Sequence, residues 1–167
     1  QLVSRYRDEP TILFWELWNE LDLGADLEFM RPYGFSDLNA IDRGAATIRV
    51  RRDNYTSEQM IPFMRELAEH VRRLDPNHLI ASGYATPRYA AQHLRKARGK
   101  GDWTEDSPAE TEMFIRDTHP DPIDIISIHF YPKHNNLYYG NRDESSAVSL
   151  LAIRKVCDRV GKPVYIG

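Results

Sequence analysis

The run Ile123-Asp124-Ile125-Ile126-Ser127-Ile128 constrains the fold of this chain more than any other segment. It is β-branched and almost continuously apolar, the mark of a strand buried on both faces. Strands of that kind belong to parallel sheets. Three further apolar runs read as strands, at 12–18, 78–82 and 163–166. Helical patterns lie between them. Thr56-Ser57-Glu58-Gln59 has the spacing of a capping box, and Met60, Phe63, Met64, Leu67, Val71 and Leu74 follow it as an apolar stripe. Pro62 removes a hydrogen bond early in that helix and is expected to distort its first turn. A shorter helix is expected over 110–116 with Met113 and Phe114 inward. Another is expected over 145–160, with Val148, Leu151, Ala152, Lys155-Val156 and Val160 on its period. Leu2, Val3 and Tyr6 read as the last turns of a helix.

Strand–helix alternation implies parallel strands joined by right-handed crossovers. The links from helix to strand are short: Asp75-Pro76-Asn77, 118–122 and Gly161-Lys162. The links from strand to helix are long, spanning 21–55, 83–108 and 131–144. An α/β barrel of the (β/α)8 TIM type collects its strand-to-helix loops on the carboxyl face and builds the active site there. Long loops on that side alone are what such an enzyme shows. The fold class expected is therefore α/β, a part of a TIM barrel. A doubly wound open sheet shares the alternation and is the second choice.

Composition narrows the function classes. With 167 residues, a net charge of -3 and a pI near 6.1, the chain has no general basic field for nucleic acid. Arg49, Arg51 and Arg52 form a local cluster beside Asp53 and Asn54, read as a solvated or ion-paired loop. No apolar run approaches the roughly 18 residues of a membrane helix. The single cysteine, Cys157, excludes an internal disulfide and reads as a small buried hydrophobe. The chain starts on Gln1 and stops on the apolar run Val164-Tyr165-Ile166-Gly167. It is read as one domain over 1–167, cut at both ends, whose parent is compatible with secretion.

The chemistry centres on Trp15-Glu16-Leu17-Trp18-Asn19-Glu20, where the first strand ends. Taken alone, a strand-terminal Asn-Glu is as compatible with a turn-forming Asn and a surface carboxylate as with a catalytic pair. The whole run, however, resembles the acid/base strand of the clan A glycoside hydrolases, most closely the family 5 group of cellulases and β-mannanases. The resemblance implies that Glu20 is the general acid/base and that Asn19 touches the sugar next to the scissile bond. Ile128-His129-Phe130-Tyr131-Pro132 is similar to the His-x-Tyr that ends the sixth strand of that family. It implies that His129 contacts substrate and that Tyr131 orients the nucleophile. Lys162-Pro163-Val164-Tyr165-Ile166-Gly167 resembles the seventh strand, which carries the nucleophile Glu at its tip. The resemblance thus implies strands four to seven, a nucleophile just beyond Gly167, and a retaining enzyme on a β-linked polysaccharide. Glu16 is expected to be a paired structural carboxylate. No cofactor is implied.

Other features are weaker. Trp18, Trp103, Tyr138 and Tyr139 are candidate substrate contacts, and Tyr33, Phe35 and Tyr84 are possible stacking platforms. His119, Asp121, Asp124, His129 and His134 lack paired metal-ligand spacing, so no metal is expected. His119-Pro120-Asp121-Pro122 is expected to stiffen a turn. A metal-dependent barrel hydrolase and a non-catalytic sugar- or partner-binding barrel are the alternatives. The piece alone is expected to be inactive and poorly folded, because it would expose sheet edges and apolar helix faces.

Overall fold

A computed structural model describes residues 1–27, 54–131 and 146–167, with side chains from 150 onward in the last segment. The elements are α1 (Leu2–Tyr6), β1 (Phe14–Glu16), a 3-10 turn (Leu21–Gly24), α2 (Ser57–Leu74), β2 (Leu79–Ala81), β3 (Tyr84–Ala85), α3 (Ala91–Ala97), α4 (Pro108–Thr118), β4 (Ile126–His129), α5 (Ser146–Val160) and β5 (Val164–Ile166). All strand pairing among the described residues is parallel. Phe14 faces Leu79, Tyr84 faces Ile128 and Ile126 faces Val164. A bridge from Ala81 to Ile125 ties the two ladders together. β2 and β3 are one strand path interrupted at Ser82-Gly83.

The strands neighbour one another in chain order, β1 to β2/β3 to β4 to β5. A doubly wound sheet reverses its order part-way; among the described strands there is no reversal. Curvature points the same way. β1 and β5 stand at opposite ends of the set, where a flat sheet would hold them about 14 Å apart. Yet the rings of Phe14 and Tyr165 meet edge to face with centroids 4.9 Å apart. Ser127 on β4 likewise donates its hydroxyl to Glu16 on β1, at 2.5 Å, past the intervening strand. The sheet curls into an arc with Phe14, Glu16, Ser127 and Tyr165 on its concave side, as a barrel requires.

The helices cover the convex side. Met60, Met64, Ala68 and Val71 of α2 pack with Ile80, Tyr84 and Ile123. Ile115 of α4 and Ile153, Val156 and Cys157 of α5 pack with Ile126 and Ile128. Ile126, Ser127 and Ile128 are all buried, as expected for a strand covered on both faces. The Gln59 side chain accepts the Thr56 backbone N–H at 3.0 Å, completing the N-terminus of α2, and the helix runs on through Pro62.

Two helix faces differ from expectation. In α4, Phe114, Ile115 and Thr118 are buried while Met113 is 45% exposed. In α5, Ile153, Val156 and Cys157 are buried while Leu151 is 60% exposed. In both, residues 114/115/118 and 153/156/157 make the three-and-four spacing on one face, and Met113 and Leu151 fall outside it. Val148 lies outside the described side chains. Cys157 is fully buried, and its burial raises the thiol pKa to about 11. The second long connection holds a helix of its own, α3, which the apolar pattern did not reveal. The first and third long connections lie mostly outside the described residues. So do Arg49, Arg51 and Arg52.

Candidate active site

Parallel strands deliver their carboxyl ends to one edge of the sheet. Past β1, Leu17 N–H donates to Ala81 O at 3.0 Å, and Glu20 N–H donates to Gly83 O at 2.7 Å. The first strand therefore keeps its neighbour for four residues beyond its formal end, and Glu20 is fastened by its own backbone. Glu20 is left-handed, with φ 56° and ψ 39°, an arrangement that costs energy for a residue with a Cβ and that gathers at functional sites. Gly83 makes the turn possible. At φ +73°, a Cβ placed there would lie 1.9 Å from the Trp18 carbonyl oxygen and 2.8 Å from Glu16 Cγ. Only glycine lets the two backbones pass so closely.

Around this turn the carboxylates and one imidazole converge. His129, at the carboxyl end of β4, places Nδ1 3.1 Å from Glu20 Oε1 and Nε2 3.3 Å from Glu16 Oε1. Their side chains are 12%, 18% and 33% exposed for His129, Glu20 and Glu16, so the group sits at the rim of the concave side. Tyr131 lies against Glu20. The charge of Glu20 raises the phenol pKa above its ordinary value, with slight desolvation and a hydrogen bond to Glu20 adding to it. Gly167 N–H donates to Ile128 O at 3.0 Å, and a Cβ on Gly167 would lie 3.1 Å from His129 Cδ2. The carboxyl end of β5 thus abuts the same imidazole.

Beneath the turn lies Asp22. It is buried, accepts Ala85 N–H at 2.8 Å, and shares its surroundings with Arg88. Burial raises its pKa to about 7 despite the Ala85 hydrogen bond and the Arg88 charge. Asp26, also buried, receives the N–H and hydroxyl of Ser57. The two aspartates bind the loop after β1 to β3 and to the start of α2.

Glu20, His129 and Tyr131 come together, and the described contact of Tyr131 is with Glu20. Asn19 is exposed beside Glu20. Trp18 is 46% exposed and packs edge to face on Phe63, with centroids 5.6 Å apart. Trp103 is 40% exposed against Tyr89. Tyr138, Tyr139, Tyr33, Phe35 and His134 lie outside the described residues. Tyr84 is corrected: it is buried, edge on to His119, and cannot present a face to a sugar. Glu16 is paired as expected, with Ser127 and His129.

The residues weighed as metal ligands are dispersed. His119 is buried against Ile115 O and Ser82, and its burial lowers its pKa to about 4. Asp124 pairs with Arg72, and Asp121 with Lys162. A different trio, His93, Asp106 and Glu110, does cluster. Its groups are already engaged, however. Asp106 accepts the N–H groups of Gln92 and His93 at the start of α3 and meets His93 Nδ1 at 2.6 Å, and Glu110 is bonded to Lys96 and Ser107.

Sequence reasoning missed Gly83, Asp22 and Ser127. Each left a trace: a glycine ending a strand pattern, an acid in an apolar turn, and one serine inside a run of isoleucines.

Comparison with known proteins bears on this arrangement. No protein-family model matches the chain. It is 29% identical over 150 residues to mannan endo-1,4-beta-mannosidase 3 of Arabidopsis thaliana, covering 87% of this chain and 27% of that protein. It is 30% identical over 83 residues to a probable mannan endo-1,4-beta-mannosidase C of Aspergillus terreus, covering 50% of this chain and 16% of that one. Among solved structures, the endo-beta-1,4-mannanase from Thermotoga petrophila matches 95% of this chain and 28% of its own, with TM-score 0.50 and 21% identity. The chain is thus similar to mannan endo-1,4-beta-mannosidases. The match to the Thermotoga enzyme concerns the fold alone, and it agrees with the curled parallel sheet rather than the doubly wound alternative. The chain spans about a quarter or less of the length of the curated relatives it matches.

Proposed function

We propose that this chain is the part of a retaining β-mannanase that carries the general acid/base, Glu20. The observation that supports the reading most is the convergence of Glu20, His129 and Tyr131 at the carboxyl edge of the sheet, from segments 109 residues apart. Retaining hydrolysis needs an acid at the glycosidic oxygen and a second carboxylate about 5 to 5.5 Å away. Glu20, held by its backbone on Gly83 and by its side chain on His129, suits the first role. Glu16 does not suit the second, because its Oε1 is taken by Ser127 and His129. We assign the nucleophile to a residue following β5, since Gly167 abuts His129 and the next side chains would enter the same site.

In this reading the strands are the fourth to seventh of the barrel, and 1–167 is a portion of one catalytic domain. In the first half-reaction Glu20 passes its proton to the leaving oxygen as the nucleophile takes the anomeric carbon. In the second, Glu20 takes a proton from the water that releases the sugar. Asn19 and Trp18 stand beside the scissile bond. β-Mannan is the substrate class, because the curated relatives are named for it; a β-glucan is the neighbouring choice.

Turnover of β-mannan by the full-length protein tests this. Glu20→Gln keeps size and hydrogen bonding but cannot deliver the proton, so kcat should fall by about 10²–10⁴-fold. Undiminished turnover in that variant would sink the assignment.

A further inference from the structure

His129 stands between two carboxylates, and this restricts where protons can be. Its Nδ1 is 3.1 Å from Glu20 and its Nε2 is 3.3 Å from Glu16. A neutral imidazole has one N–H and one lone pair. With both ring nitrogens facing carboxyl oxygens, two arrangements satisfy both contacts. Either the ring is an imidazolium between two carboxylates, or one carboxyl is protonated and donates to the ring. For a neutral ring, the environment of the two carboxyls decides which of them carries the proton. Glu16 Oε1 already accepts the Ser127 hydroxyl at 2.5 Å, and Ser127 is fully buried, its N–H donating to Ser82 Oγ at 3.1 Å. An oxygen that accepts from a fixed hydroxyl and faces Nε2 is an acceptor on both sides. The single proton of a neutral ring therefore resides on Nε2, and Nδ1 then presents its lone pair to a protonated Glu20.

We propose that Glu16 is a positioning residue for the acid/base: anchored by Ser127, it fixes His129 in the Nε2–H tautomer, so that Nδ1 holds the proton-bearing carboxyl of Glu20 ready for transfer. The proposal rests on Glu20 being the acid/base. It adds that Glu16, through His129, decides whether Glu20 is loaded. When Glu20 gives its proton to the leaving oxygen, the Nδ1 lone pair is left facing a carboxylate. That contact is repulsive, and it favours return of a proton to Glu20 from the attacking water. The other titratable groups near the pair are Tyr131, whose phenol bears on Glu20, and Asp22 beneath the turn, whose carboxyl is electrostatically linked to Glu20. Neither contacts a ring nitrogen of His129 among the described hydrogen bonds.

Two measurements on the full-length protein test the inference. Nitrogen-15 NMR of the wild-type imidazole should show Nε2 protonated and Nδ1 as an unprotonated acceptor near neutral pH. Protonated Nδ1, with Nε2 either bare or also protonated, would overturn the proposal whatever the kinetics show. Glu16→Gln should then move the alkaline limb of the kcat/KM profile to lower pH, on the order of one unit, because a negative charge that favours retention of the proton is gone. KM should change little. Ser127→Ala, which only loosens Glu16, should shift the limb less and in the same direction, and it serves if Glu16→Gln does not fold. An unmoved limb in a folded variant refutes the role of Glu16, whereas activity surviving Glu20→Gln refutes the underlying assignment, so the two failures are distinguishable.

Discussion

Replacing Gly83 by alanine should separate backbone strain from collision. A residue with a Cβ in left-handed conformation costs roughly 1–2 kcal/mol. Gly83 at φ +73° incurs that cost, and so does Gly161 at φ +84°. Their surroundings differ. Around Gly161 a Cβ meets nothing within 4 Å, whereas at Gly83 it would stand 1.9 Å from the Trp18 carbonyl oxygen, a backbone atom that cannot swing away. Relieving such a contact shifts main chain, which costs about 1–3 kcal/mol more. Gly161→Ala is thus expected to destabilise by about 1–2 kcal/mol and Gly83→Ala by about 2–5 kcal/mol, read from urea midpoints at constant slope. Gly83→Ala should also lower kcat steeply, because Glu20 N–H is bonded to the carbonyl of Gly83 itself and misplacement of a catalytic group by about 1 Å can cost on the order of 100-fold. Equal destabilisation by the two substitutions would show that the close passage of the backbones does not hold the Glu20 turn.

Two further outcomes follow from buried acids. Asp75, fully buried at the end of α2, accepts from Trp15 Nε1, Asn77 N–H and His78 N–H and meets His78 Nδ1 at 2.6 Å. Burial alone would push its pKa up, but these hydrogen bonds hold it well below the ordinary value of 3.8, and they raise that of His78 above 6.5. Asp75→Ala should cost about 3–5 kcal/mol. The aspartate contribution is present above pH 3.8 and lost as pH falls through its lowered value. The histidine contribution is present below 6.5 and lost as pH rises through its raised value. The penalty should therefore be greatest near pH 5, and calorimetric melts showing no such maximum would contradict the pairing. Asp22 behaves oppositely. Its pKa is raised to about 7, so the stability of the neutral form is present below 3.8 and lost as pH rises through 7. Asp22→Asn keeps the Ala85 acceptor and should gain about 2 kcal/mol relative to wild type between pH 5 and pH 8. A difference independent of pH would mean that Asp22 is not buried as described.

What could be read from the chain follows from the range of the interactions involved. Ile123 to Ile128 announced a doubly covered strand because burial on both faces leaves a one-dimensional mark. The spacing from Glu20 to His129 could be aligned because both end parallel strands. Helix faces were harder. Met113 and Leu151 are larger and more apolar than some of their buried neighbours, but which arc turns inward depends on the strands beneath, and Ile115 and Ile153 won. The bond from Ser127 to Glu16 spans 111 residues and depends on the curl of the sheet. No local pattern encodes it. Gly83 carries only the generic signal of a glycine at a strand end. Its role emerged when the Trp18 carbonyl was seen passing over it.

The contact of Phe14 with Tyr165 has a consequence for how the concave surface can vary. These rings form the floor. One layer up stand Glu16 and Ser127, and above them Glu20 and His129. Polarity therefore rises along a single axis, from hydrocarbon at Phe14 to ionisable groups at Glu20 and His129. Volume-conserving exchanges at the floor should leave proton traffic untouched. Changes one step higher should alter it even where they leave the shape intact, so tolerance to substitution becomes a measure of depth.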